Sequence, residues 1–234
     1  MRPVAACAFL VFVSFSAAAC APDAPGPEDG EGLSAASADR PGVAADTRAA
    51  ALFREGVTFQ TFLAGVERRV ETWEANYRRG EVDAALLAEA REIPGAWRLL
   101  VVAEDWCGDS ANTLPYVARL DDALDNLDVR VVDSRTGRGV MEAHPTPDGR
   151  AATPTMVLLG PDGGEAGCLV EQPRPLQEWW LGDARAITDE DARLAEKYAW
   201  YDRDAGASVT REVVEIMRRA SEGKPLCRAP VPGG

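Results

Sequence analysis

The apolar positions between residues 58 and 80 recur every three or four residues, a spacing that places them on one face of a helix. They are Phe59, Phe62, Leu63, Val66, Val70, Trp73 and Tyr77. A second, shorter helix follows and ends before Pro94 and Gly95, which interrupt helices. The pattern therefore predicts two helices ahead of the first strand.

Three short and nearly continuous apolar runs follow, at residues 97–103, 129–133 and 155–160. Such runs are typical of strands that are covered on both faces of a sheet. A helical pattern separates the first two runs, and this strand–helix–strand order predicts a parallel pair. The turn sequence "PDGG" at residues 161–164 predicts a hairpin between the third strand and residues 165–172.

Helical patterns return after the hairpin and continue to about residue 222. The predicted fold is α/β, with a central mixed sheet flanked by helices and extra helices at both ends. We assign residues 48–185 to the main domain with its N-terminal helices, and residues 186–234 to a C-terminal helical extension and tail. Aromatic residues of the C-terminal part are expected at the seam between the extra helices and the sheet, or in an aromatic ligand groove. They are Trp179, Trp180, Tyr198, Trp200 and Tyr201.

The N-terminus has the pattern of an export signal, because an apolar run follows Arg2 and ends in small residues before Cys20. The order "SAAAC" resembles a lipoprotein signal, which implies removal of residues 1–19 and a lipid on Cys20. An ordinary signal peptide that leaves Cys20 unmodified is the alternative. Residues 20–47 are rich in Pro, Gly, Ala and acids and predict a disordered tether. We therefore expect a protein of the bacterial cell envelope, on the periplasmic side, held to the membrane through Cys20.

Net charge and cysteine content argue against some classes of function. The formal net charge is −13, which argues against nucleic-acid binding, since that requires clustered Lys and Arg.

The cysteines are Cys7, Cys20, Cys107, Cys168 and Cys227. Cys7 leaves with the signal peptide and Cys20 carries the lipid, so the last three are left for thiol or disulfide chemistry, and none of them lies at metal-ligand spacing from another. His144, the only histidine, lies in a turn-rich segment that indicates a surface or helix-capping role. We expect no metal site and no cofactor.

The stretch "VVAEDWCGDS" runs from a strand into a turn at Trp106, Cys107 and Gly108 and then, from Asp109, into a helix. This arrangement resembles the thioredoxin family, in particular members with a W-C-G-D-[SC] motif. Pro115 matches the proline within the helix after the family's cysteine, and "ATPTMVLL" matches the segment with its cis-proline, here Pro154. The resemblance covers about residues 55–182 and implies a thioredoxin-like fold. It also implies that Pro154 faces Cys107 and that the Thr153 backbone binds a peptide substrate.

Two positions depart from that family: Ser110 replaces the second, resolving cysteine, and Val101 replaces a buried acid. A single cysteine still attacks disulfides, but a second thiol from the substrate or from solution must resolve the mixed disulfide. The predicted function is thus thiol–disulfide exchange or isomerisation on exported proteins or small thiol and disulfide compounds, with Cys107 and Ser110 as catalytic residues. The alternative is a non-catalytic module that binds a partner peptide along Thr153 and Pro154.

The surroundings of Cys107 have opposing effects on its thiolate. A helix N-terminus favours the thiolate through free amides and the helix dipole, and the Ser110 hydroxyl is expected to donate a further hydrogen bond. Like charge on Glu104, Asp105 and Asp109 acts against it. We therefore expect a thiol of modest reactivity.

The remaining two cysteines are expected to form a structural disulfide. If "PDGG" closes the hairpin, Cys168 lies opposite Val157, roughly 10 Å along the sheet from Pro154. That is too far to reach Cys107, because bridged Cα atoms lie within about 7 Å. Cys227 lies in a tail that is long enough to return to the sheet. The expected pair is Cys168–Cys227, with Cys107 as the free thiol.

Overall fold

The structure is a computed structural model, and it describes residues 42–227. The predicted signal peptide and Cys20 lie outside the described residues. The helices are α1 (Gly42–Glu55), α2 (Phe59–Ala64), α3 (Val70–Arg79), α4 (Ala84–Glu92), α5 (Gly108–Ala123), α6 (Arg138–Ala143), α7 (Arg174–Leu181), α8 (Glu190–Asp204) and α9 (Ala207–Ser221), with a 3-10 turn at Asp183–Ala186. The strands are β1 (Trp97–Val102), β2 (Leu127–Val132), β3 (Thr155–Leu159), β4 (Glu165–Val170) and β5 (Leu226–Cys227).

The strands form one mixed sheet in the order β2-β1-β3-β4-β5. β1 and β2 are parallel, whereas β3 is antiparallel to both β1 and β4. The parallel pair and the hairpin are those that the apolar runs predict. The α/β fold with a central mixed sheet and additional helices at both ends is therefore confirmed.

Alternating side chains of the strands divide the core into two layers. Leu99 and Val101 of β1 face one layer, which contains α3, α5 and α9. Leu100 and Val102 face the other layer, where residues of α1 and α6 cover the sheet. Because both faces are covered, the strands are mostly apolar, as the sequence pattern indicates. The C-terminal helix α9 is thus part of the main core.

The prediction of one helix between residues 58 and 80 is wrong in one respect, because the structure has two shorter helices there, α2 and α3. Gly65 ends α2, and Arg69 has a left-handed backbone conformation, with φ 54°, before α3 begins. The carboxylate of Asp105 accepts hydrogen bonds from the amides of Glu67 and Arg68, both at 3.0 Å. The residue that binds these amides lies 37 and 38 positions further along the chain. The spacing of apolar residues within the segment therefore does not reveal the break.

Three further elements were missed. α1 begins at Gly42, inside the range assigned to the tether, and packs Ala49 and Phe53 against the sheet. α6 lies between β2 and β3, where the sequence pattern predicts no helix, and β5 pairs parallel with β4. Each element is short or rich in alanine, so its pattern along the chain is weak. Among the described residues, no helix is both long and apolar enough to cross a membrane.

Candidate active site

Cys107 occupies the N-cap position of α5 and is only 8% exposed. The amide of Ser110 points at its Sγ atom across 3.4 Å, because this amide has no partner within the first turn of the helix. The thiol in turn donates to the carbonyl of Thr153 at 3.2 Å. The sulfur therefore bridges the helix N-terminus and the segment before β3.

The Thr153–Pro154 peptide bond is cis, and this segment faces Cys107. The segment is held from both sides, since Thr155 Oγ1 donates to the carbonyl of Ala152 at 2.7 Å and the amide of Glu171 donates to the carbonyl of Pro154 at 2.7 Å. The structure thus brings together Cys107, Thr153 and Pro154, three residues that the resemblance places in one site.

Ser110 has a different role from the one expected. Its amide contacts the sulfur, but its hydroxyl is buried and has no hydrogen-bond partner among the described residues. The side chain is completely inaccessible, within the layer of the core that α5 covers. The expectation that the hydroxyl stabilises the thiolate is therefore wrong, and the helical amide supplies the contact.

The acidic side chains near Cys107 are bound by donors, which reduces the repulsion expected from them. Glu104 accepts a hydrogen bond from the amide of Ser134 at 2.8 Å, and Asp105 binds the amides between α2 and α3. Asp109 forms a buried cluster with two residues of α8. Its carboxylate accepts from Lys197 Nζ at 2.8 Å and from the Tyr201 hydroxyl at 2.7 Å.

Lys197 and Tyr201 are site residues that sequence reasoning missed. They are four positions apart and so lie on one face of α8, but nothing in their spacing identifies Asp109 as the partner. Burial raises the pKa of Tyr201 well above its usual value, and the negative charge of Asp109 raises it further. The phenol therefore stays protonated and donates to Asp109. The Lys197 ammonium also lies 4.9 Å from the ring centre of Trp180 on α7, so this lysine contacts one of the aromatic residues of the C-terminal part.

A second contact from α8 explains the glycine of the motif. The phenol ring of Tyr198 fills the space into which a side chain at position 108 would project, with ring atoms 3.1 Å from an ideal Cβ. The guanidinium of Arg69 lies 5.8 Å from the centre of this ring, and its Nε donates to the carbonyl of Trp106 at 2.8 Å. Gly108 therefore allows α8 to cover the turn.

The proline within α5 leaves one helical carbonyl without its usual donor, and a side chain from another helix bonds to that carbonyl. Pro115 has no amide hydrogen, so the Ala111 carbonyl one turn earlier has no helical donor. The buried side chain of Asn76 donates to that carbonyl at 2.7 Å. Its Oδ1 accepts from the Tyr116 hydroxyl at 3.2 Å. α3 is thereby attached to α5 behind the motif, while Val101 is fully buried beneath it.

A cleft of about 400 Å³ opens in front of the sulfur. Trp106, which is 52% exposed, lies at its edge, and Arg150 and Glu171 line it opposite the cysteine. Arg150 binds Glu171 at 3.0 Å and Asp148 at 2.8 Å, and hydrogen bonds from Arg150 and Thr146 lower the pKa of Asp148. The cleft thus combines a buried sulfur, an exposed aromatic ring and a paired cation.

Cys168 and Cys227 lie away from this cleft and are joined as a disulfide, with their Cα atoms 4.4 Å apart. Cys168 is opposite Val157 on β3 and opposite Cys227 on β5. Cys107 is the free cysteine of the described residues. Of the two roles expected for His144, the surface role is wrong because the residue is buried, with its ring beside these two sulfurs, whereas the capping role is confirmed because His144 is the C-cap of α6.

Comparisons with known proteins agree with this geometry. No curated protein matches the sequence. Two crystal structures have a similar fold, each with a TM-score of 0.54: an HIV epitope-scaffold, 19% identical over 74% of this chain and 97% of that one, and a protein of unknown function from Pseudomonas aeruginosa, 20% identical over 72% of this chain and 96% of that one. The model of a family described as thioredoxin matches residues 56–193, more than half of the sequence. The chain therefore belongs to the thioredoxin family.

Proposed function

We propose that the protein carries out thiol–disulfide exchange or isomerisation through Cys107 as its single redox cysteine. The observation that carries this proposal is the position of Cys107 Sγ, between the Ser110 amide at 3.4 Å and the Thr153 carbonyl at 3.2 Å, beside the cleft. An amide at a helix N-terminus favours negative charge on sulfur, and the thiolate is the nucleophile in disulfide exchange.

The reaction begins when the Cys107 thiolate attacks one sulfur of a substrate disulfide. A bond forms between Cys107 and that sulfur, the substrate S–S bond breaks, and the departing sulfur leaves as a thiolate that takes a proton from water. A second thiolate, from the same substrate or from a small thiol, then attacks the mixed disulfide and releases Cys107. If that thiolate belongs to the substrate, its disulfides are rearranged with no net electron transfer.

The proposed substrates are exported proteins or small thiol and disulfide compounds in the bacterial envelope, with the protein held to the membrane through a lipid on Cys20. This location and the lipid anchor are supported by the order "SAAAC" and by the composition of residues 20–47. Intact mass of the mature chain from its bacterial host tests it: a diacylglyceryl group on an N-terminal Cys20 is expected, and an unlipidated N-terminus would contradict it.

A non-catalytic binding module is the second candidate. It is favoured by the low exposure of Cys107 and by the hydrogen bond that occupies its thiol. In that case a partner peptide lies along Thr153 and Pro154, and the sulfur takes part in no covalent step.

Trapping of the mixed disulfide separates the two candidates. The folded, non-reduced protein is incubated with glutathione disulfide at neutral pH and then mapped by mass spectrometry. Exchange through the site predicts one glutathione adduct on Cys107, and its loss in Cys107→Ser. A folded chain that yields no adduct on Cys107, although denatured chain does, would support the binding module.

A further inference from the structure

His144 and the Cys168–Cys227 pair form a cluster outside the Cys107 cleft. One potential ligand atom from each of the three residues lies within 4.8 Å of the others. The spacing along the sequence gave no sign of this group, because Cys227 reaches Cys168 through the β4–β5 pairing and His144 directly follows α6. The expectation of no metal site rested on the cysteine spacing and on the presence of a single histidine, but the fold brings that histidine and two of the cysteines together.

The hydrogen bonds of His144 define the state of its ring. Its Nδ1 lies 2.8 Å from the carbonyl of Val140, and since a carbonyl only accepts, Nδ1 carries a proton. Nε2 faces a carboxylate oxygen of Glu165. Glu165 therefore places a carboxylate oxygen beside the ring that lies next to the two sulfurs. A backbone carbonyl that holds the other nitrogen is the usual support of a metal-binding histidine.

We propose that reduction of the Cys168–Cys227 bond creates a site for Zn²⁺ or a similar thiophilic divalent cation. The ligands are the two thiolates, Nε2 of His144 and a carboxylate oxygen of Glu165. Four donors of these types match the coordination number and ligand preference of Zn²⁺. The site does not depend on the activity proposed for Cys107.

The electrons come from a dithiol reductant, which forms its own disulfide as it delivers two electrons to the S–S bond. Each sulfur first becomes a thiol, and the cation then displaces the two thiol protons and any proton on Nε2 into water. Cys227 is exposed, whereas Cys168 and His144 are buried, so a reductant reaches the bond from the side of Cys227.

Sulfurs that bind one ion lie farther apart than sulfurs in a disulfide, so β5 must shift away from β4. Within residues 42–227, two residue pairs, Gly167 with Leu226 and Cys168 with Cys227, hold these strands in register. A shift of this short strand therefore breaks few hydrogen bonds.

Co²⁺ is a suitable probe because its absorption reports both tetrahedral geometry and thiolate ligation. The full-length protein is compared before and after treatment with a dithiol and anaerobic removal of the reductant. The reduced protein is expected to bind one equivalent of Co²⁺ with a sulfur-to-cobalt charge-transfer band, and the oxidised protein none. Absence of binding after reduction, or equal binding in both states, would overturn the proposal.

Two variants identify the ligands. His144→Ala is expected to weaken Co²⁺ binding at least about tenfold, by analogy with the loss of groups that support a metal site. Cys107→Ser is the matched control and should keep the full spectrum, whether or not Cys107 is redox active. X-ray absorption of the reduced, Zn²⁺-loaded wild-type protein, which needs no variant, should show sulfur and nitrogen or oxygen neighbours. A shell without sulfur would contradict the site.

Discussion

The Lys197 ammonium of α8 lies 2.8 Å from the carboxylate of Asp109, two residues after Cys107. The side chains of this ion pair are 8% and 10% exposed. Its position attaches the C-terminal helices to the loop that carries Cys107. The turn around Cys107 and Asp109 is therefore held in part by α8, which lies in the C-terminal extension.

Lys197→Met leaves the Asp109 carboxylate buried without its cation. We expect a loss of about 3–5 kcal/mol in the free energy of unfolding, measured by denaturant titration. Arg78→Met is the matched control, since its exposed pair with Glu74 contributes less than about 1 kcal/mol. The double variant with Asp109→Asn should lose less than the sum of the single changes; simple additivity would show that the two side chains do not interact.

Asn76 and Pro115 should be coupled in the same way. Asn76→Ala removes the donor to the Ala111 carbonyl and is expected to cost about 1–3 kcal/mol. Pro115→Ala restores a helical amide that reaches this carbonyl, so the Asn76→Ala change should cost less in that background. Chemical denaturation of the four proteins measures the coupling. An equal cost of Asn76→Ala in both backgrounds would contradict the proposed link.

Ser110→Cys should convert the site toward a dithiol reductase. The Ser110 hydroxyl has no hydrogen-bond partner within the described part of the chain, and the Ser110 amide lies 3.4 Å from Cys107 Sγ, so a cysteine at this position stands in the same helical turn as the sulfur it must attack. We expect dithiothreitol-dependent reduction of insulin to rise at least about tenfold, because resolution becomes intramolecular. Ser110→Ala is the control. An unchanged rate in Ser110→Cys would count against a competent redox site.

Asp121 should make stability depend on pH. Burial, followed by the charge of Asp128, raises the pKa of Asp121 to about 7 from an ordinary 3.8. Between these values the folded protein holds a proton that the unfolded chain releases, so the contribution of Asp121 to stability falls as pH rises from about 4 to about 7. Asp121→Asn cannot ionise and should be more stable than wild type at pH 8, by on the order of 1–2 kcal/mol after allowance for solvent. An equal difference between the two proteins at pH 4 and pH 8 would contradict this origin.

The Cys168–Cys227 bond should be recovered by non-reducing peptide mapping. It closes a loop of 59 residues, and the chain-entropy estimate for such a loop is about 4 kcal/mol of stability lost on reduction. Thermal unfolding with and without a reductant measures that loss, with Cys107→Ser as the control for thiol effects elsewhere. A peptide in which Cys107 is joined to either partner would show that the resolving cysteine had been misassigned.

Features that depend on near neighbours in the sequence were predictable. The apolar runs identified β1, β2 and β3, and "PDGG" placed Cys168 opposite Val157, because strand register follows from the turn. The position of Cys107 at the start of α5 followed from the motif.

Features that depend on distant partners were not predictable. Asp105 binds two amides at the break between α2 and α3, which lie 37 and 38 residues earlier in the sequence. The side chain of Asn76 bonds to the carbonyl of Ala111, 35 residues away. The repulsion expected from Asp109 took no account of Lys197, which is 88 residues further along. A single sequence contains no physical signal for these pairings, because each becomes favourable only when the fold excludes water from both partners.

The distance along the chain between Asp109 and α8 also orders events during synthesis. A chain that emerges N-terminus first exposes the turn at Cys107 before Lys197 exists, since 88 residues separate Asp109 from that lysine and 92 from Tyr201. Until α8 has emerged, Asp109 and Gly108 lack the contacts that Lys197, Tyr201 and Tyr198 make with them. The turn next to Cys107 therefore acquires its full set of contacts only when the C-terminal helices have been made.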